Sequence, residues 1–429
     1  MADTSSSEGS YDPQPGMTEG HPHIASINWR LKMKLSRLSR MVSIIAAASA
    51  AFAASAQDIK LGYNGDLSAS PAAISGQAAV LGIQAAIEDI NSAGGVLGRK
   101  LVLVVRDDMS MPPKAIQNMS ELIDGEKVSA VFGPTNSGNG LAWRHIPNQK
   151  KVPVMNVVGG ATDLTKPVSA GAENYMFRVS MVDRYQVAAL MGYAKKSPGV
   201  KNIGLITESN GWGQNGLQDL QQIAELQGLK VVAAERMGSN DTDATSQLSK
   251  LKAANVDTVL LWTNGTPTAQ IMRSMDKLNY YPRVLSSWAA DNSSFYDAAG
   301  KNLAEKPIFM RTLSDSLNPK QTKLRDRIGT KLAAPSAITF VMHGYDGTML
   351  LAQAMKQAGS TDGPAVKAAL EDLKTPVDGM MKTYNKPFSK TNHEGLVASD
   401  LAWIHWKDGK LLPYNDEVVK SITAADLKY

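Results

Sequence analysis

From residue 59 onward, short apolar runs alternate with amphipathic stretches, and this alternation narrows the available folds more than any other feature. The runs at 59–64, 101–108, 128–132, 152–158 and 176–180 read as strands, with helices predicted at 76–90, 113–123 and 141–149 between them. The pattern then restarts. Helices are predicted at 185–194, 216–226, 245–254 and 269–278, and strands at 202–207, 230–235 and 257–262. Brief β-rich runs separated by longer helical stretches are the mark of βαβ units, whose strands pair in parallel through right-handed crossovers. At roughly 100–200 residues per domain, 429 residues accommodate two such α/β domains in series.

In open parallel sheets, ligands sit beyond the carboxyl ends of the strands. That singles out the loops 64–71, 107–113, 133–140, 159–165, 208–216 and 263–268, all rich in Gly, Ser, Thr, Asn or Pro. Several run directly into a predicted helix, where unpaired backbone N–H groups favour an anion. The turn Gly133-Pro134-Thr135-Asn136-Ser137-Gly138 gathers hydroxyls and backbone donors and holds no Cys, Lys or His. It suits capture without catalysis.

What is missing restricts the chemistry further. The chain has no cysteine, so disulfides, thiol nucleophiles and thiolate metal sites are excluded. Neither a phosphate-binding glycine fingerprint on the first strand turn nor a G-x-S-x-G elbow occurs. Gly211-Trp212-Gly213-Gln214-Asn215-Gly216 approaches the former, but Trp212 would crowd a pyrophosphate. His145, His343, His393 and His405 are scattered without metal-ligand spacing, and His21-Pro22-His23 reads as solvated. The paired carboxylates Asp107-Asp108 read as turn caps. No cofactor or metal is expected. The net charge of +5 comes without basic clusters, so no nucleic-acid partner is expected.

The N-terminus reads as processing signal. Residues 1–32 are polar and aperiodic, and read as a disordered or misassigned extension. Lys34, Arg37 and Arg40 then precede an apolar run from Val42 to Ala53 and the small-residue ending Ala54-Ser55-Ala56. This three-part pattern over 33–56 is that of a secretory signal peptide, with cleavage expected after Ala56 and Met33 a possible true start. The run is shorter than the roughly 20 residues of a membrane span. The expected destination is the periplasm.

The stretch 59–108, then Val128-Ser129-Ala130-Val131-Phe132-Gly133-Pro134-Thr135-Asn136-Ser137-Gly138, then 153–165 and Met176-Phe177-Arg178-Val179-Ser180, resembles the exported solute-binding proteins of ABC importers. The branch is that of the leucine/isoleucine/valine-binding proteins, with the type I periplasmic binding fold. The block 86–99 and the motif Gly344-Tyr345-Asp346-Gly347 are its most specific features, and the likeness spans about 58–429. It implies two Rossmann-like lobes with parallel sheets joined by a three-crossover hinge: 58–178 plus 286–396 for lobe one, and 179–285 plus 397–429 for lobe two. It also implies a ligand held between lobes that close over it, a membrane permease as partner, and a monomer. The segment 401–414 is expected to return as a hairpin.

Carried over residue by residue, the resemblance implies ligand contacts from Thr135, Asn136 and Ser137 to a carboxylate, with Gly160, Ala161 and Thr162 adding backbone and hydroxyl bonds. Ser137 falls on a family serine, and Gly160 stands where threonine is typical. Trp212 stands where a tyrosine often meets ligand. Thr268 stands where amino-acid binders place a glutamate for the ammonium. Ser70 and Trp288 complete the expected site, with Tyr63, Phe295 and Tyr345 as lesser candidates; Arg178 is expected to bond crossover carbonyls. A buried ammonium without a carboxylate is costly, so Glu208 or Asp291 would have to replace the missing glutamate. Failing that, the ligand is an organic acid, an amide or a urea. An exported hydrolase is the contrasting class, and no nucleophile–base pair in the sequence supports it.

Overall fold

The computed structural model describes residues 57–314 and 316–429, and Asp58–Tyr429 form one compact unit. The extension 1–32 and the predicted leader 33–56 lie outside the described residues. Among the described residues no helix is long and apolar enough to cross a membrane.

Two large sheets organise the unit. The first has the order β2-β1-β3-β4-β5, built from β1 (Ile59–Gly65), β2 (Leu101–Asp107), β3 (Ala130–Phe132), β4 (Val154–Asn156) and β5 (Met176–Arg178). All its pairings are parallel. The second contains β6 (Ile203–Glu208), β7 (Val231–Met237), β8 (Thr258–Trp262), β9 (Arg283–Ser286) and β10 (Ile308–Arg311). A small hairpin, β11 (Val377–Asp378) with β12 (Thr383–Tyr384), stands apart. The hairpin β13 (Ala402–Lys407) and β14 (Lys410–Pro413) then closes the second sheet in the order β14-β13-β10-β9-β8-β6-β7. Strands such as Thr258–Trp262 are buried at every residue, as expected where helices cover both faces.

The lobe boundary expected at 286 falls later. Ile308–Arg311 pairs in parallel with β9 and antiparallel with β13, so it belongs to the second sheet. A four-residue apolar strand carries no local mark of which sheet it joins; the partner is chosen by non-local pairing.

Six helices position the cleft: α1 (Ala73–Ser92), α2 (Ser137–Trp143), α3 (Asp183–Lys196), α4 (Gly211–Leu226), α5 (Gly265–Lys277) and α6 (Ile338–Ala358). Helices α1 and α6 pack backbone to backbone. A Cβ on Gly82 would lie 2.0 Å from the Val341 carbonyl oxygen, and one on Gly344 2.3 Å from that of Ala79. The Gly344-Tyr345-Asp346-Gly347 motif is thus a packing device. Tyr345 donates to Asp89, while Asp346 accepts the backbone N–H groups of Met380 and Met381 and the Tyr384 hydroxyl, pinning the small hairpin.

Helices α4 and α5 begin earlier than expected, at Gly211 and Gly265. Asn210 caps α4 by accepting the Gly213 N–H at 2.9 Å. The glycines that read as loop are first-turn residues, so Trp212 and Thr268 sit on helices.

Candidate functional site

The carboxyl ends of the two sheets face a cleft that encloses about 540 Å³, its open mouth included. Six of the ten expected residues line it: Thr135, Asn136, Ser137, Gly160, Trp212 and Trp288. The remaining lining comes from Pro71, Ala72 and Ser75, from Val158 and Gly159, from Asn264 and Gly265, from the turn 289–292, and from Phe340.

The first-sheet side is rich in neutral donors. Asn136 caps α2 through the Gly138 N–H at 2.9 Å, which places Ser137 at the first helical position. Ser137 Oγ accepts the Ala161 N–H at 3.1 Å; its hydroxyl proton remains for a further acceptor. Thr135 is held by the Tyr63 hydroxyl at 2.7 Å, so Tyr63 supports the site from behind. Arg178, fully buried, gathers the carbonyls of Gly159, Gly160 and Ala161 on Nη1 while its Nε and Nη2 bind Glu394 at 2.7 Å. Those carbonyls are drawn away from the cleft. Arg178 therefore shapes the donor loop and is itself absent from the lining.

On the other side stand Trp212 and Trp288, and Phe340 reaches the cleft from α6, the helix packed on α1. Trp288 packs on Phe340, with ring centroids 5.2 Å apart, and Trp212 on Trp262 at 5.9 Å. One buried chain of bonds fixes both cleft tryptophans. Trp212 Nε1 donates to Asp183 Oδ2 at 2.6 Å, Gln186 Nε2 donates to Asp183 Oδ1 at 2.9 Å, and the backbone N–H of Trp288 donates to Gln186 Oε1 at 3.0 Å. Burial, followed by the negative charge of Asp219, pushes the Asp183 carboxyl up to about 7. The two sides touch at the rim. Thr162 donates to Asp219 at 2.5 Å, Asn215 to Asp163 at 3.0 Å, and Gly138 meets Gly211 so closely that a Cβ on Gly211 would lie 2.7 Å from the Gly138 Cα.

Residues 58–410 match the family model described as periplasmic binding protein. This chain belongs to the periplasmic binding protein family. It is homologous to the Leu/Ile/Val-binding proteins of ABC importers. It is 26% identical to Leu/Ile/Val-binding protein homolog 3 of Brucella melitensis, over 89% of this chain and 99% of that one. Among solved structures, a periplasmic binding protein type 1 from Bordetella pertussis matches with a TM-score of 0.74 at 25% identity, covering 83% of this chain and 100% of that one. A solute-binding protein of an ABC transporter from Rhodopseudomonas palustris, solved with 3,4-dihydroxybenzoic acid, matches with a TM-score of 0.68 at 18% identity, covering 82% and 95%. The two-lobed type I architecture is thereby established, and the relatives are non-catalytic binding proteins.

Four of the expected residues lie off the lining of this binding protein. Ser70 turns back, its Oγ accepting the Ala72 N–H. Ala161 is spent on Ser137, and Thr162 on Asp219 and the Arg184 N–H. Thr268 is fully buried in the first turn of α5, where its hydroxyl bonds to Thr263 and to the Asn264 carbonyl. Phe295 is buried in the second-lobe core.

Two departures from the family pattern become intelligible. Gly160 is glycine because a Cβ there would lie 2.2 Å from Asp183 Oδ1; the carboxylate occupies the space a side chain would need. Glu208 does not replace the missing ammonium partner. Its Oε1 takes Asn210 and Ser239, and its Oε2 takes the backbone and side-chain N–H of Asn264, each at 2.8 Å.

The Asp107-Asp108 pair, with Asp66, forms a carboxylate cluster within 4.8 Å. Asp66 accepts the N–H groups of Ser68, Ala69 and Ser70, Asp107 those of Leu67 and Met109, and Asp108 that of Ser110. These bonds agree with turn capping.

Asn264, Ala289, Asn292 and Phe340 were absent from the expected site, whereas Asp291, expected only as a substitute for the glutamate, is among the lining residues. Asn264 follows a strand and precedes a helix, a position that could have marked it. Phe340 and the 289–292 turn reach the cleft only through the non-local packing of α6 and β9.

Proposed function

We propose that this protein captures an amino acid, branched-chain or related, or another small carboxylate, outside the cytoplasmic membrane and delivers it to the permease of an ABC importer. The observation that carries this reading is the polarity of the cleft. Neutral donors at Ser137 and Gly160 face apolar and aromatic walls from Trp212, Trp288 and Phe340. Such a site binds a carboxylate through hydrogen bonds and the remainder by burial. In this reading the lobes comprise 58–178 with the segment following β10 up to 396, and 179–311 with 397–429. The leader 33–56 is removed after Ala56, and the protein acts as a monomer. No bond is made or broken.

A second reading is favoured by the aromatic wall. The ligand would then be an aromatic or other organic acid without an ammonium group, as in the Rhodopseudomonas relative solved with 3,4-dihydroxybenzoic acid. Aromatic contacts add about 0.5–1.5 kcal/mol per pair beyond area burial. An amide or urea would use the same donors.

Thermal shift of the purified protein against amino acids, organic acids and amides tests both. A ligand that binds only the folded state raises its apparent stability, by about 2.7 kcal/mol at a hundredfold excess over Kd. No shift with any of these classes would refute the solute-binding reading, and turnover of any of them would restore the hydrolase.

A further inference from the structure

Resting on the solute-binding reading, we propose that Asp183 and Gln186, both absent from the cleft lining, are positioning residues that set its selectivity for a bulky or flat apolar group on the ligand. Trp212 and Trp288 face the cleft from different elements, α4 and the short helical turn Trp288–Asp291 that follows β9. Helix α3 supplies the link between them. Asp183 and Gln186 stand three residues apart in its first turn, on one face, and both are fully buried.

The chain of bonds has a direction. The Trp212 Nε1–H at one end and the Trp288 backbone N–H at the other can only donate. The ionised Asp183 carboxylate can only accept. Gln186 must therefore turn its NH₂ to Asp183 and its oxygen to Trp288, the placement found at 2.9 and 3.0 Å. Two amides in these places cannot do the same. With an amide at 183 and Gln186 retained, one NH₂ faces the other, or, with either amide turned over, an NH₂ faces a tryptophan N–H.

The carboxylate satisfies the chain from either position. In Asp183→Asn/Gln186→Glu the amide at 183 accepts from Trp212 and donates to the carboxylate at 186, which also accepts the Trp288 N–H. All three bonds survive with the charge moved by one side chain. Gln186→Glu alone sets two carboxylates face to face and breaks the middle bond.

Few other groups can hold the rings if the chain fails. Asp183 is closed in by the Gly160 backbone, which accepts its N–H at 2.9 Å, and each tryptophan otherwise rests on one further ring, Trp262 or Phe340. Walls fixed in advance spare a ligand the cost of ordering them. That gain goes to ligands whose apolar part reaches the tryptophans. A small ligand held by the donors at Ser137 and Gly160 gains little from them.

The test uses pairs that share a polar end and differ in apolar bulk: leucine with alanine, phenylalanine with alanine, and benzoate with acetate. Affinities are measured by calorimetry on the wild type, Asp183→Asn, Gln186→Glu and the double variant, above about pH 7, where the Asp183 carboxyl is ionised. The ratio within a pair is insensitive to a general loss of folded protein. The expected result is at least about a tenfold preference for the bulkier member in the wild type, about threefold or less in each single variant, and the wild-type ratio again in the double. Near-UV circular dichroism of the ligand-free proteins should follow the same order, changed in the singles and recovered in the double. A double variant that resembles the singles, or singles that keep the wild-type ratio, overturns the assignment. Should a single variant fail to fold, the double must still fold and keep the ratio; its failure also overturns the assignment. If no pair binds the wild type, the selectivity falls while the solute-binding reading stands on the wider panel, and silence of that panel overturns both.

Discussion

Placing a methyl group on residue 160 tests whether Asp183 and Gly160 share one space. In Gly160→Ala the new Cβ would stand 2.2 Å from Asp183 Oδ1, 2.9 Å from Cγ and 3.3 Å from Oδ2. The carboxylate cannot swing aside cheaply, because Trp212 and Gln186 hold its two oxygens and the Asp183 N–H is bonded to the Gly160 carbonyl at 2.9 Å. Overpacking of this kind costs about 1–3 kcal/mol. Asp183→Ala alone strands the Trp212 and Gln186 donors, a loss of roughly 1–3 kcal/mol for each group left unsatisfied. In that background the methyl has room. Gly160 has a φ outside the left-handed region, so the added Cβ should there be neutral or stabilise by about 0.4–1 kcal/mol through the unfolded chain. The double-mutant cycle should therefore return a coupling of at least ~1 kcal/mol, measured by urea denaturation of the four proteins at one pH. If Gly160→Ala costs the same with and without Asp183, the two groups do not compete and the account of this position is wrong.

Three further outcomes are expected. Ser137→Ala leaves the buried Ala161 N–H without its acceptor and removes the donor proposed for the ligand; stability should drop by about 1–3 kcal/mol and affinity for any captured carboxylate should fall with it, whereas unchanged affinity would remove Ser137 from the site. Asp183 is protonated more readily in the folded than in the unfolded chain, so its contribution is complete below about pH 4 and lost as pH rises through about 7. Between pH 5 and 7 the wild type should lose about 2–3 kcal/mol more than Asp183→Asn, and parallel pH profiles of the two would contradict the buried-carboxyl assignment. Glu208→Gln should weaken binding without emptying the cleft of any lining group, because the glutamine must offer an N–H where Glu208 offered only oxygens; a variant with wild-type affinity would show that the Asn264 amide does not need this anchor.

The alternating strands and helices of 59–278 were legible because burial on both faces writes apolar runs, and because each helix follows its strand closely; the strand Arg283–Ser286 was not. The donor turn 135–137 was legible for the same reason: it follows β3 directly and opens a helix. Helix starts at Gly211 and Gly265 were not, since glycine there reads as loop; the better signal was the asparagine preceding each, a strong N-cap type. Membership of Ile308–Arg311 in the second sheet could not be read, because the strand's partners lie about twenty residues before it and nearly a hundred after. Nor could the fates of Thr268 and Glu208. Glu208 ends a strand and Thr268 follows one at the expected side of the sheet, yet one hydroxyl closes on its own helix turn and one carboxylate is consumed in orienting a neighbour. Sequence position delivers a side chain to the rim, and the local hydrogen bonds decide whether it looks in.

If the lobes close over a ligand as proposed, the contact between Gly138 and Gly211 is where the two walls meet. Two bare backbones meet there, each at the start of a helix from an opposing lobe. A Cβ on Gly211 would lie 2.7 Å from the Gly138 Cα, so a side chain there would act as a doorstop. The donors on α2 and the tryptophan on α4 would both remain in place, yet the ligand would be held by one wall at a time. A protein altered only at this hinge-remote point would still recognise its solute while failing to seal it from water. On the proposed reading, recognition and enclosure would then come apart.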